Sequence, residues 1–151
     1  MQIETFHIVG IQVKTKNADN RAAQDIGGLW GRLYQEGIAQ QIPNRLSDTI
    51  YAVYSDYESD HNGYYTMTLG YTVADLNTIP NTLSGKTIEP GTYTPFLAKG
   101  TMPMPIIEAW QKIWSMDKDL NRSYATDYEV YDEKASQGDQ SEATIFIGVN
   151  A

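Results

Sequence analysis

The sequence predicts an α+β fold: an antiparallel curved sheet with two helices packed on it, built from pseudo-two-fold duplicated strand–helix–strand–strand units. Three observations predict it. The order strand, helix, strand, strand is legible twice along 151 residues. YAVY at 51–54 matches YEVY at 128–131, an offset of 77 positions. TLGYTV and FIGVN each carry a glycine late in a closing strand, Gly70 and Gly148, an offset of 78. Each match is short, and it is the agreement of offset with element order that argues for duplication.

The elements follow in order. Residues 3–15, IETFHIVGIQVKT, form a β-rich run. From Asn20 to about Ile38, the residues Ile26, Leu29, Trp30, Leu33 and Tyr34 fall on the stripe of an amphipathic helix. IPNRLS (42–47) breaks it. TIYAVYSDY (49–57) and GYYTMTLGYTV (63–73) then read as two strands joined across ESDHNG. Asn62-Gly63 marks that connection as a hairpin, because both residues tolerate positive φ. ADLNTIPNTLSGKTIEPG (74–91) has the polar, turn-forming content of a linker between halves.

The second half repeats the pattern. EPGTYTPFLAKG (89–100) is a strand after a Pro-Gly turn, and 104–116 carries Ile106, Ile107, Trp110, Ile113 and Trp114 at helical spacing. TDYEVYDE (126–133) and EATIFIGVN (142–150) are strands on either side of the loop KASQGDQ. Trp30 and Trp114 are the expected anchors of helix to sheet. The reading is one domain over 1–151, with halves of about 1–76 and 77–151.

Composition narrows the function. Eleven basic against nineteen acidic residues give a net charge of −8, which repels phosphate backbones and anionic membranes. Direct nucleic-acid binding and membrane association by this chain are therefore not expected. The same charge draws cationic small molecules, although acidic surfaces also serve solubility. There is no cysteine, so disulfides and thiolate metal sites are excluded. MQIETFHIVG lacks the pattern of a signal peptide and no run is long enough to span a bilayer, so the expected location is cytoplasmic. Eleven tyrosines and three tryptophans supply rings with polar tips, suited to ligand pockets as well as to sheet packing.

Glu129 is the candidate functional residue. Strand alternation puts Asp127, Glu129, Tyr131 and Glu133 on one face, and Tyr128 and Val130 on the other. Pattern alone assigns such a charge to a solvated face. The repeat argues otherwise, because Glu129 aligns with Ala52 while both flanking tyrosines and the valine match. The strand folds without an acid there. Tyr54 is the mate of Tyr131, and Tyr51 of Tyr128. If Tyr131 lines a pocket on the pseudo-axis, Tyr54 lines its opposite wall; a cross-strand aromatic pair is the alternative. Tyr93 is within reach of the same cavity.

No metal or cofactor is expected. DYESDHNG (56–63) alternates acids but places His61 and Met67 where a calcium loop needs glycine and glutamate. His7 and His61, the two histidines, are far apart in sequence, and no phosphate-loop motif is present.

GTYTPFLAKG, IIEAWQKIW, YATDYEVYD and EATIFIGV together resemble the effector-binding domain of AraC-type regulators and their standalone GyrI-like (gyrase-inhibitor-like) and integron-associated relatives. IVGIQVKT and IGGLWGRLYQ resemble the opening of the standalone members. The resemblance implies a duplicated fold with a pocket between the halves that takes hydrophobic, often cationic, compounds. It implies Glu129 as the buried acid, with Tyr131, Trp110 and Phe146 beside it. With Tyr54 and Tyr51 from the repeat, and Tyr93 within reach of the same cavity, these form the expected ligand-binding set. It also implies a ligand-sensing module that acts through a separate DNA-binding protein, or else a protein that sequesters its ligand by itself; a monomer or a homodimer is expected. Some gyrase-inhibitor-like members are hydrolases of electrophilic small molecules, so the alternative is an enzyme in which Glu129 does the catalysis. With one candidate acid and no second partner, binding is the preferred reading.

Overall fold

Chain order runs β1 (Gln2–Ile3), β2 (Phe6–Thr15), α1 (Arg21–Gln35), α2 (Ile38–Gln41), β3 (Ile50–Ser55), β4 (Tyr65–Val73), β5 (Ser84–Ile88), β6 (Gly91–Lys99), α3 (Met104–Ser115), α4 (Asp117–Leu120), β7 (Arg122–Tyr131) and β8 (Glu142–Val149). The structure is a computed structural model and describes residues 1–18, 21–59 and 63–150. Asp60, His61 and Asn62 lie outside the described residues, so Asn62 of the Asn62-Gly63 turn and the centre of the acidic loop fall there. The strands it joins, β3 and β4, pair antiparallel.

All eight strands make one curved antiparallel sheet, in the order β1-β6-β8-β7-β3-β4-β2-β5. The middle six read the same from both ends. In β3 and β7 at the centre, Ala52 faces Glu129, Tyr51 faces Val130 and Val53 faces Tyr128. The pseudo-two-fold axis therefore passes between Ala52 and Glu129, the one position of the YAVY/YEVY match that differs.

The edges exchange partners. β1, from the start of the chain, pairs with β6, while β5 pairs with β2. Residues 84–88, expected as part of a linker, are thus a strand. SGKTI has little hydrophobic alternation, and main-chain pairing with β2 holds it in place. Pro95 sits in β6 beyond the two residues that β1 covers, where no second neighbour needs its missing N–H.

Alternation divides the side chains between two faces. On the helix face, Leu29 and Leu33 of α1 pack on Val9, Ile11, Met67 and Leu69, and Ile113 of α3 packs on Ile145 and Ile147. Each such buried side chain contributes about 1.5–3 kcal/mol. These aliphatics are the helix anchors. Trp114 is not one of them, being 37% exposed, and Trp30 is only partly buried. The opposite face holds Ile8, Val53, Ile88, Tyr93 and Tyr128.

The late glycines are not equivalent. Gly70 faces Tyr51 across β3 and β4, whereas Tyr128 faces Phe146 across β7 and β8. Gly70 is required by β2, since a Cβ there would sit 2.2 Å from the Val9 carbonyl oxygen. Gly148 accommodates the bulge in β7 between Arg122 and Asp127, with the Thr126 oxygen 2.4 Å from where its Cβ would be. Among the described residues no helix is long and apolar enough to cross a membrane.

Candidate ligand-binding site

A cavity of about 1170 Å³ opens on the helix face, lined by residues of α1, α3 and the central strands. Glu129 lies at its base. Its residue is 2% exposed, and three donors converge on its carboxylate. The Tyr131 hydroxyl donates to Oε1 at 2.5 Å; the Trp110 indole N–H and the Tyr54 hydroxyl donate to Oε2 at 2.6 and 3.0 Å. Among the described residues no lysine or arginine forms an ion pair with it. Burial pushes its pKa above the ordinary carboxylate range, and the bonds from Tyr131, Trp110 and Tyr54 pull it back only in part. Burial and the neighbouring Glu129 charge together push the Tyr54 and Tyr131 phenols well above 10. Both stay protonated and donate.

The walls repeat about the axis. Trp30 meets Tyr131 edge-on at 5.0 Å and 82°, and Trp110 meets Tyr54 edge-on at 5.4 Å and 71°. Outside them, Trp30 neighbours Tyr34 at 6.3 Å and Trp110 neighbours Trp114 at 6.2 Å. Ile26, Trp30, Leu33 and Tyr34 of α1 match Ile106, Trp110, Ile113 and Trp114 of α3 at a constant offset of 80 positions. Tyr65 closes one end; its ring lies 5.8 Å from Tyr54 and its hydroxyl donates to Asn17 Oδ1 at 2.7 Å. Burial, with the Glu129 charge adding to it, pushes the Tyr65 hydroxyl to about 12.

A second carboxylate lies two residues away and is already satisfied. Asp127 is fully buried and accepts from Arg122 at 2.7 Å, from the Tyr57 hydroxyl at 2.5 Å and from the Gly148 backbone N–H at 2.8 Å. Burial nevertheless holds its pKa above the ordinary value, against the opposing pull of Arg122. Arg122 is the cavity's cationic lining residue, and it is committed to Asp127 and Asp117. The remaining charged lining residues, Asp48, Asp132 and Glu133, are acids.

Of the seven sequence-predicted site residues, the structure brings together Glu129, Tyr131, Tyr54 and Trp110. Phe146, Tyr93 and Tyr51 are on the other face of the sheet. Phe146 stacks on Tyr128 at 4.8 Å, Tyr93 lies 5.4 Å from that ring and Tyr51 6.2 Å. The error is one residue of register: Ile145, not Phe146, is paired with Glu129. Trp30, Tyr34, Tyr65 and Trp114 line the cavity and were missed. The signal for Trp30 and Tyr34 was the offset of 80 between the helices, which the strand offset of 77 conceals.

The family model for integron-associated effector-binding proteins matches residues 1–149. The chain belongs to that family. It is 26% identical over 150 residues to the putative transcriptional regulator protein YobU of Bacillus subtilis (strain 168), covering 97% of this chain and 94% of that one. Among solved structures, the integron cassette protein VCH_CASS2 of Vibrio cholerae superposes with a TM-score of 0.75 at 25% identity, over 99% of this chain and 94% of the other. SAV2435, solved bound to tetraphenylphosphonium, superposes with a TM-score of 0.82 at 22% identity, over 100% and 92%. Family membership bears out the resemblance read from DYEVY and the tryptophan helix.

Proposed function

We propose that the cavity binds a hydrophobic cation, with Glu129 as its counter-charge and Tyr54, Tyr131, Trp110 and Trp30 as its aromatic walls. The observation that carries this reading is a buried carboxylate held by three neutral donors and, among the described residues, in no ion pair with a cation. Three donors sustain the charged form but supply no positive charge. A ligand cation completes the site, and each ring facing it adds about 0.5–2 kcal/mol. The lining acids favour the same sign of ligand. Desolvation of the ligand offsets part of the gain, so micromolar affinity, about −8 kcal/mol, is expected.

The three donors also favour holding a charge over transferring a proton, which supports binding above hydrolysis. Membership of an effector-binding family agrees with a small-molecule role. The likeness to SAV2435 is one of fold, and the ligand of that protein, a lipophilic cation, is of the class argued here from Glu129. Coupling to transcription would run through a separate DNA-binding protein, as the regulator-like name of YobU accords with.

Calorimetry with tetraphenylphosphonium and a neutral analogue, triphenylphosphine oxide, tests the reading. Glu129→Gln should weaken the phosphonium by roughly tenfold or more and the oxide far less. Equal losses for both would remove the counter-charge role.

A further inference from the structure

Resting on that cation reading, we infer that the pocket selects ligands whose charge lies at the molecular centre, with apolar groups on both sides, over amphiphiles with a terminal charge. The geometry behind this is the coincidence of the acid with the pseudo-two-fold axis. Glu129 stands opposite its own mate, Ala52, in the central strand pair. From that point the walls are doubled. One wing is Tyr131 with Trp30 and then Tyr34; the other is Tyr54 with Trp110 and then Trp114. The edge-on contacts agree within 0.4 Å, being 5.0 and 5.4 Å, and the outer contacts within 0.1 Å, being 6.3 and 6.2 Å.

A cation that places its charge against Glu129 thus has an aromatic wall available on each side at matching separation. A terminal ammonium on a single long tail fills one wing and leaves the other in water. A centred cation fills both without moving its charge from the carboxylate. Ala52, fully buried and small, leaves the central floor free of a second side chain that would compete for that position.

Two constitutional isomers with equal carbon count and charge isolate this property: tetrabutylammonium, with its charge centred, and tridecyltrimethylammonium, with its charge terminal. Each is titrated calorimetrically into the full chain below the micelle concentration of the linear isomer. Bulk hydrophobicity favours the linear isomer, so a preference for the compact one reports the shape of the site. Roughly tenfold or tighter binding of tetrabutylammonium is expected. Equal affinity, a preference for the linear isomer, or no binding of tetrabutylammonium overturns the inference. The same titrations on Glu129→Gln read the underlying proposal separately. If the variant binds both isomers as the wild type does, the counter-charge role fails. If both weaken in Glu129→Gln while the wild type shows no preference, that role stands and the centred-charge inference fails.

Discussion

Arg122→Met should destabilise the protein severely, although Arg122 is one residue of a wall and touches no ligand in the proposed complex. Its side chain is 1% exposed and its partner Asp127 is fully buried, so the pair is out of water. Removing the guanidinium leaves a buried carboxylate whose remaining donors, the Tyr57 hydroxyl and the Gly148 N–H, carry no charge. Breaking a buried pair on one side costs about 3–5 kcal/mol. A domain typically holds about 5–15 kcal/mol in all. At roughly 2–4 °C per kcal/mol for a chain of this size, the melting temperature falls by about 6–20 °C. Arg122→Met/Asp127→Asn removes both charges and should recover to within about 2 kcal/mol of wild type, because a neutral pair escapes the charge-burial penalty. The recovery is helped by the wild-type pair being imperfect, since the buried Arg122 Nε has no hydrogen-bond partner among the described residues. Urea denaturation of the three proteins measures each difference. A single variant within about 1 kcal/mol of wild type, or a double variant no better than the single, refutes the reasoning.

Two further outcomes follow from Glu129. Its native pKa is raised, so between the ordinary carboxylate range and that raised value the unfolded chain binds fewer protons than the native state, and stability falls as pH rises through this window. Glu129→Gln lacks that loss, so its melting temperature relative to wild type should climb as pH rises above the ordinary carboxylate range, and a flat or falling difference would contradict it. Tyr131→Phe removes the 2.5 Å donor to Oε1 and should move the pH at which half of the tetraphenylphosphonium binding is lost upward, read by titration across pH; an unchanged or lowered midpoint would show that this bond does not sustain the charge.

The inward face of β7 was legible because strand alternation is a strict period and the repeat supplied a second copy for comparison. Alternation set Glu129 and Tyr131 on one face, the repeat added Tyr54, and the family resemblance turned that face toward a pocket. Phe146 was lost because the register of β8 on β7 is set across the connection 132–141, beyond which the pairs from Val130–Thr144 to Asp127–Ile147 run without a shift. A connection of that length does not fix the pairing in sequence, and one residue of slip moves a side chain to the other face. Tyr51 and Tyr93 failed for a simpler reason: they alternate with the inward residues of their own strands. The tryptophans show a different limit. Helical spacing identifies an apolar stripe, but it does not separate the part that meets the sheet, Leu29, Leu33 and Ile113, from the part that borders a cavity, Trp30, Trp110 and Trp114. β5 lay beyond pattern altogether, because β2 holds it through the backbone.

The substitution of Ala52 for a second glutamate has a physical reason that the symmetric tyrosines do not share. Directly opposed residues on antiparallel strands have Cβ atoms about 4.5–5.5 Å apart. Two hydroxyls at mirrored positions both gain by donating to one carboxylate, and Tyr54 and Tyr131 do so. Two carboxylates at that separation in a buried site repel, and one of them keeps its proton. A glutamate at position 52 would add bulk and a proton at neutral pH but no second negative charge. A duplicated sheet that places its binding charge on the axis therefore gains nothing from duplicating that charge. The donors can be repeated, the rings can be repeated, and the acid must be single. That is the pattern in which the two halves agree at Tyr54 and Tyr131 and differ at Ala52 and Glu129.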